Sequence, residues 1–294
     1  SQRFLQNPEE FELAFAKAWF KLTHRDMGPK IRYLGDDVPV ETLAWQDPLP
    51  DRDYKLISDR DIRKLEAAIA DSELTNTQLV STAWSSASTY RGTDMRGGAN
   101  GARIRLAPQN QWAINNPDAL AEVITVLEEV QDEFNSGLSR GKQVSLADVI
   151  VLAGNVGVEQ AAEEFGVEVS IPFTPGRVDA IEGSLDDASW SVMEPRHDGF
   201  RNYMAALGFM TPSQALIDKA DMLNLTVSEM TVLLGGMRAM NANADDSYRG
   251  VLTDRPGVLS NDFFVNLLDM NTAWGPSSEA YVFEGRDRQT GDLK

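Results

Sequence analysis

Helix-start chemistry recurs along this chain, each time ahead of apolar residues spaced three and four apart, and nothing else in the sequence constrains the fold as tightly. Asn7 precedes Pro8-Glu9-Glu10, which offers a capping oxygen, a proline preset for the first helical turn and acidic groups at the positive end of the dipole. Phe11, Ala14, Phe15, Ala18, Trp19 and Leu22 then line one face, and the helix is expected to close around Thr23-His24-Arg25, ahead of Gly28-Pro29. So apolar a face needs a partner. Ser58 is expected to cap a helix to about Asp71, and Thr75-Asn76-Thr77-Gln78 forms a capping box ahead of Leu79, Val80, Ala83 and Trp84. Pro117 opens a helix through Leu120, Val123, Ile124, Leu127 and Val130. Ser145-Leu146-Ala147-Asp148 caps a run to about Phe165, and Thr226-Val227-Ser228-Glu229 caps another through Met240. Only 167–171 and 281–283 look strand-like. Between 33 and 57, Pro39, Pro48, Pro50 and scattered acids erase every period, so this stretch reads as an extended connector with Trp45 and Leu49 anchored on a domain surface. The class is mainly α, with long loops and little β.

At 294 residues the chain has the length of about two domains or one large one. Its 27 basic and 45 acidic side chains give 27 − 45 = −18, which opposes a role on nucleic acid or an anionic membrane, since both need a cationic footprint. The absence of cysteine removes disulfides, thiolate metal sites, iron–sulfur clusters and a cysteine nucleophile, and leaves the redox compartment unreadable. Only His24 and His197 are available for any site that needs imidazole. No apolar run reaches the ~18 residues of a membrane span, and Ser1-Gln2-Arg3-Phe4 lacks the core of a signal peptide, so a soluble, cytoplasmic protein is expected. The start without methionine and the stop after the turn-like Gln289-Thr290-Gly291-Asp292 suggest that both ends are cut from something longer.

Several motifs dissolve on inspection. Gly137-Leu138-Ser139-Arg140-Gly141-Lys142 has the wrong glycine spacing for a Walker loop and is followed by Gln143 rather than Ser or Thr. Gly97-Gly98-Ala99-Asn100-Gly101 lacks the dinucleotide spacing; both segments read as loops. The acidic pairs Glu128-Glu129, Asp186-Asp187 and Asp245-Asp246 read as solvated faces, and His197, with no second histidine nearby, as a surface or hydrogen-bonding residue rather than a metal ligand. Thr82-Ala83-Trp84-Ser85-Ser86-Ala87-Ser88-Thr89-Tyr90-Arg91 and Leu234-Gly235-Gly236-Met237-Arg238 read, by themselves, as core packing and close helix approach.

Taken together, these segments resemble a catalase-peroxidase, of the class I haem peroxidase superfamily, in which a mainly helical peroxidase domain occurs as two tandem copies. Phe15 through Pro29, ending His24-Arg25-Asp26-Met27-Gly28-Pro29, is similar to the end of the family's haem-binding N-terminal domain, and Trp45-Gln46-Asp47-Pro48-Leu49-Pro50 resembles its interdomain connector. The rest, through Asn261-Asp262-Phe263-Phe264-Val265-Asn266-Leu267-Leu268-Asp269, resembles its C-terminal copy without the final helices. The resemblance implies three parts: 1–32 as the terminal helix of the haem domain, 33–57 as connector and 58–294 as a truncated, haem-free peroxidase-like domain. It implies that Ser81 stands at the distal arginine position, that Trp84 keeps the distal tryptophan, and that Ser85 replaces the distal histidine. Met237 stands where the axial histidine belongs, and Leu259 where the proximal tryptophan belongs. Haem b is therefore expected in the preceding N-terminal domain, and no cofactor or metal in this chain. Arg25 matches the family's mobile switch arginine, which can pair with a phenolate of the catalytic domain; its plainer role is a cation at a helix C-terminus. The implied partners are the N-terminal haem domain and a second copy in a homodimer, with no nucleic acid or membrane. The implied role is a scaffold for peroxide disproportionation and peroxidation of small donors. The rival expectation is an independent haem or small-molecule module using a vestigial cavity lined by Trp84, Met237 and Leu259.

Overall fold

A computed structural model describes residues 1–183, 190–205, 210–245 and 247–294. The Asp186-Asp187 pair and Asp246 lie outside the described residues. Helices dominate: α1 (Gln2–Gln6), α2 (Pro8–His24), α3 (Asp59–Ala70), α4 (Asn76–Ala87), α5 (Pro117–Ser136), α6 (Leu146–Glu164), α7 (Pro212–Met222), α8 (Val227–Ala239) and α9 (Asp262–Leu267). Strands among the described residues form two antiparallel pairs. β1 (His197–Asp198) pairs with β2 (Tyr203–Met204), and β3 (Thr272–Pro276) with β4 (Phe283–Asp287), in the registers Asp198 to Tyr203 and Trp274 to Gly285.

The helix starts obey the capping chemistry in the sequence. Thr75 Oγ1 accepts from Gln78 N at 3.2 Å while Gln78 Oε1 accepts from Thr75 N at 3.0 Å, and Thr226 with Glu229 repeats the exchange at 3.3 and 2.8 Å. Ser145 Oγ accepts from Asp148 N, and Asp179 adds its carboxylate to the same helix end, accepting from Leu146 N and Ala147 N at 2.8 Å each. Asn7 departs from expectation. Because α1 runs directly into α2, its amide donates back to the Arg3 carbonyl at 2.9 Å instead of capping forward. The segment 167–171 is extended but unpaired, with Ile171 N held by Glu159 Oε1 at 2.6 Å, and the strand expected at 281–283 begins only at Phe283, because Tyr281 takes a left-handed turn at φ 63°.

Two cores share α4. Leu79 joins Leu65 and Ile69 of α3, Leu120, Ile124 and Leu127 of α5 and Val149, Ile150 and Leu152 of α6. Val80 and Trp84, on the adjoining face, join Ala161, Phe200, Ala220, Met237 and Met240. Such double use requires α4 and α6 to run in near contact, which glycines in α6 allow. A Cβ on Gly154 would lie 2.4 Å from Ala83 Cβ, and one on Gly157 2.9 Å from Leu79 Cβ. Within 33–57, Trp45 lies edge-on to Phe20 at 5.7 Å and the Asp47 carboxylate takes two hydrogen bonds from Arg96 at 2.7 Å each. No helix among the described residues is long and apolar enough to cross a membrane.

Candidate functional site

Ser81, Trp84 and Ser85 share one face of α4, three and four residues apart, and that face meets the turn between β1 and β2. Trp84 Nε1 donates to Asp198 Oδ2 at 2.9 Å, and its ring lies 4.9 Å from that of Phe200. Ser85 Oγ accepts from Arg201 Nη1 at 2.7 Å. Asp198 and Arg201 are both fully sequestered and bridge through Nε to Oδ2 at 2.9 Å. The carboxylate is saturated, since Oδ1 also accepts from Phe200 N at 3.0 Å and Arg201 N at 3.4 Å. The guanidinium finds Asn115 Oδ1 at 2.9 Å, the Ile114 carbonyl at 3.1 Å and Ser88 Oγ at 3.3 Å. Burial alone would push the Asp198 carboxyl up, but the charges of Arg201 and Lys219 and the hydrogen bonds from Trp84 and Arg201 outweigh it and hold the group below the usual carboxylate range.

From the other side comes α8. Met237 is buried, and Leu259 folds over the same turn, its Cδ1 3.3 Å from where a Gly236 Cβ would stand and its backbone N bonded to the Ala161 carbonyl at 2.9 Å. Gly235 does what a double glycine promised, admitting Phe264 of α9 to within 2.4 Å of a hypothetical Cβ. Arg238 reaches back to the hairpin turn, donating to the Phe200 carbonyl at 2.7 Å and the Gly199 carbonyl at 2.6 Å; burial pushes its guanidinium down to about 10. Phe200, fully buried, belongs to one apolar cluster with Trp84, Met237 and Leu259, the three residues of the rival cavity reading. On the Ser81 and Ser85 side there remains a cavity of about 70 Å³, also lined by Arg201. Binding pockets for organic ligands run to roughly 300–1,000 Å³.

The remaining sequence candidates sit apart. Arg25, just past α2, faces Asp94 across a loose ion pair of 3.5 Å, while Asp94 also pairs with Arg91. His24 ends α2, its Nδ1 2.8 Å from Thr23 Oγ1 and 3.2 Å from the Phe20 carbonyl. His197 Nε2 lies 3.3 Å from Asp218 Oδ2, and no group of three or more metal-capable side chains forms among the described residues. Lys142 of the false phosphate loop is committed to Asp61 of α3, whose carboxyl it holds well below the usual range. Glu128 and Glu129 face solvent.

A profile of the peroxidase family matches residues 13–287. The chain belongs to the peroxidase family. It is 61% identical to catalase-peroxidase 2 of Shewanella sp. (strain MR-4) over 99% of this chain and 40% of that protein. It is 59% identical to the catalase-peroxidase of Hahella chejuensis over 100% and 41%. The chain thus spans about two fifths of the length of the curated relatives it matches. Within this peroxidase fold, sequence reasoning found the α4 and α8 positions but missed what joins them: Asp198, Arg201, Lys219 and Arg238. A signal existed for one of them. Lys219 interrupts the apolar spacing of Ala215, Leu216, Ala220 and Leu223, and a lysine on such a stripe must be buried with a partner.

Proposed function

We propose that this chain is the C-terminal part of a bifunctional catalase-peroxidase, acting as a haem-free scaffold for a haem-bearing domain that precedes it. The whole protein would disproportionate hydrogen peroxide to water and dioxygen and oxidise small donors, with haem b held in that preceding domain and the assembly a cytoplasmic homodimer. In this reading residues 1–32 complete the haem domain, 33–57 connect, and 58–294 are the copy without haem.

The hairpin turn carries this reading, because the residues at these positions do not fit a haem. Phe200 packs on Trp84 within the apolar cluster that also holds Met237 and Leu259, and the buried Asp198–Arg201 pair engages the polar atoms of Trp84 and Ser85. Activating peroxide needs a base to move a proton and a free donor for the developing charge. Ser85 instead accepts a hydrogen bond from Arg201, whose own donors are spent on protein oxygens. Support for docking comes from α2, which buries no residue along its length although Phe11, Phe15 and Trp19 lie on it, 51–57% exposed. Arg25 is the residue this chain offers to the neighbouring chemistry, and its 3.5 Å tether to Asp94 leaves the guanidinium donors available to a second partner.

Mixing this chain with the separately produced N-terminal part should raise the latter's activity and haem retention; no effect on either sinks the scaffold. Hemin titration of this chain should leave the free-hemin spectrum unchanged. A Soret band that Met237→Leu abolishes would replace this reading with an independent haem module.

A further inference from the structure

A second, larger cavity of about 520 Å³ opens between the end of α4, the segment 192–197, β2 and α7. Its walls carry Met193, Met204 and Met222, thioethers that adapt to a ligand's shape and favour contact with aromatic rings. Lys219 reaches this cavity although the residue is only 4% exposed. Its hydrogen bond runs to the Ser88 carbonyl, which occupies one of three ammonium protons. Asp198, the nearest buried carboxylate, is saturated by Arg201, Trp84 and the turn amides, while Asp218, the carboxylate on the cavity side, is engaged with His197. Among the buried groups Asp198 thus faces two cations, Lys219 and Arg201, while the carboxylates of the cavity wall, Asp218 and Glu194, are not buried. Burial and the Arg201 charge hold the ammonium below the usual lysine range, against the opposing pull of Asp198 and Asp218. Arg196 stands exposed at the rim.

We propose that this cavity binds a small aromatic carboxylate, its ring against the methionines and its charge against Lys219. An inorganic anion would satisfy the ammonium but leave the apolar walls wet, and a neutral aromatic would leave the charge uncompensated. A ring bearing one carboxylate answers both, and the volume suits it.

Benzoate titrated into this chain with methionine methyl groups labelled for NMR should saturably shift the signals of Met193, Met204, Met222 and Met210, which also lines the cavity. Lys219→Met, close in shape and uncharged, should weaken benzoate roughly ten- to hundred-fold, the worth of one hydrogen bond to a charged group. Should that variant fail to fold, benzyl alcohol on the unaltered chain makes the same comparison and should bind weaker by a similar factor. Equal binding of alcohol and carboxylate, equal binding of acetate and benzoate, or shifts confined to other methionines would each overturn the proposal.

Discussion

At the scale of single residues, the buried polar groups around α4 and the hairpin turn bond to one another. Asp198 is the clearest case, a fully buried carboxylate whose acceptor positions are filled by Trp84, Arg201 and two backbone amides. Asp198→Asn should cost about 3–5 kcal/mol, because Arg201 and Lys219 would remain buried without their counter-charge. The pH dependence follows from the sign of the shift. With the folded carboxyl held below its unfolded value of about 4, its contribution is complete above that pH and drains away as pH falls through the folded value. Thermal melts at descending pH should therefore converge for the wild type and Asp198→Asn, and a gap that stays constant into acid would show that ionisation at this position is irrelevant. Met237 offers the opposite test. Packed among apolar side chains, it should tolerate Met237→Leu at under about 1.5 kcal/mol in denaturant unfolding.

At the scale of elements, what was legible depended on whether a segment's neighbours are encoded within it. Helices α2 to α6 and α8 carry their stripes in their own sequences, and α4, α6 and α8 their caps as well. The same was true of α7, where Thr211 and Gln214 exchange the capping-box bonds at 3.3 and 2.8 Å around Pro212, yet Lys219 breaks its stripe and hides it. Strands β1 and β2 are two residues each, too short to show any period, and Asp198 and Arg201 read as surface by composition; their burial is decided by α4, α7 and α8. Of the candidate site, the sequence accordingly offered the residues on helices α4 and α8 and not the hairpin turn whose Asp198 and Arg201 bond to Trp84 and Ser85. Close approach of α4 to α6 was similarly hidden, since a glycine in a helix does not name the residue it faces. Gly154→Ala gains about 1 kcal/mol of helix propensity but drives a Cβ into Ala83, and overpacking of this kind costs roughly 1–3 kcal/mol. The net should be destabilising, and adding Ala83→Gly should recover part of the overpacking loss beyond what the two single changes predict. Strict additivity in urea melts would mean that the helices separate freely and that the glycine is dispensable.

At the scale of the whole molecule, two features pull against each other. A net charge of −18 sets up repulsion between copies of the chain, while α1 and α2 present Phe4, Phe11, Phe15 and Trp19 as an exposed ladder of rings with centroids about 6 Å apart. The helix is tied to the rest mainly at its end, by Phe20 against Trp45 and by Arg25 to Asp94, so its stability is not written into the two cores. Exposed apolar area of this kind is normally buried by a partner, and the curated relatives carry about three fifths more of their own length beyond what this chain matches. Replacing Phe15 and Trp19 together with serine separates a docking face from a core. If the face belongs to a neighbouring domain, the double variant should unfold within about 0.5 kcal/mol of the parent, as surface changes do, while losing the ability to co-purify with the N-terminal part and to raise its haem retention. A substantial loss of stability in the isolated chain would instead assign α2 to the cores described here, and an undiminished association would move the docking surface elsewhere on the molecule.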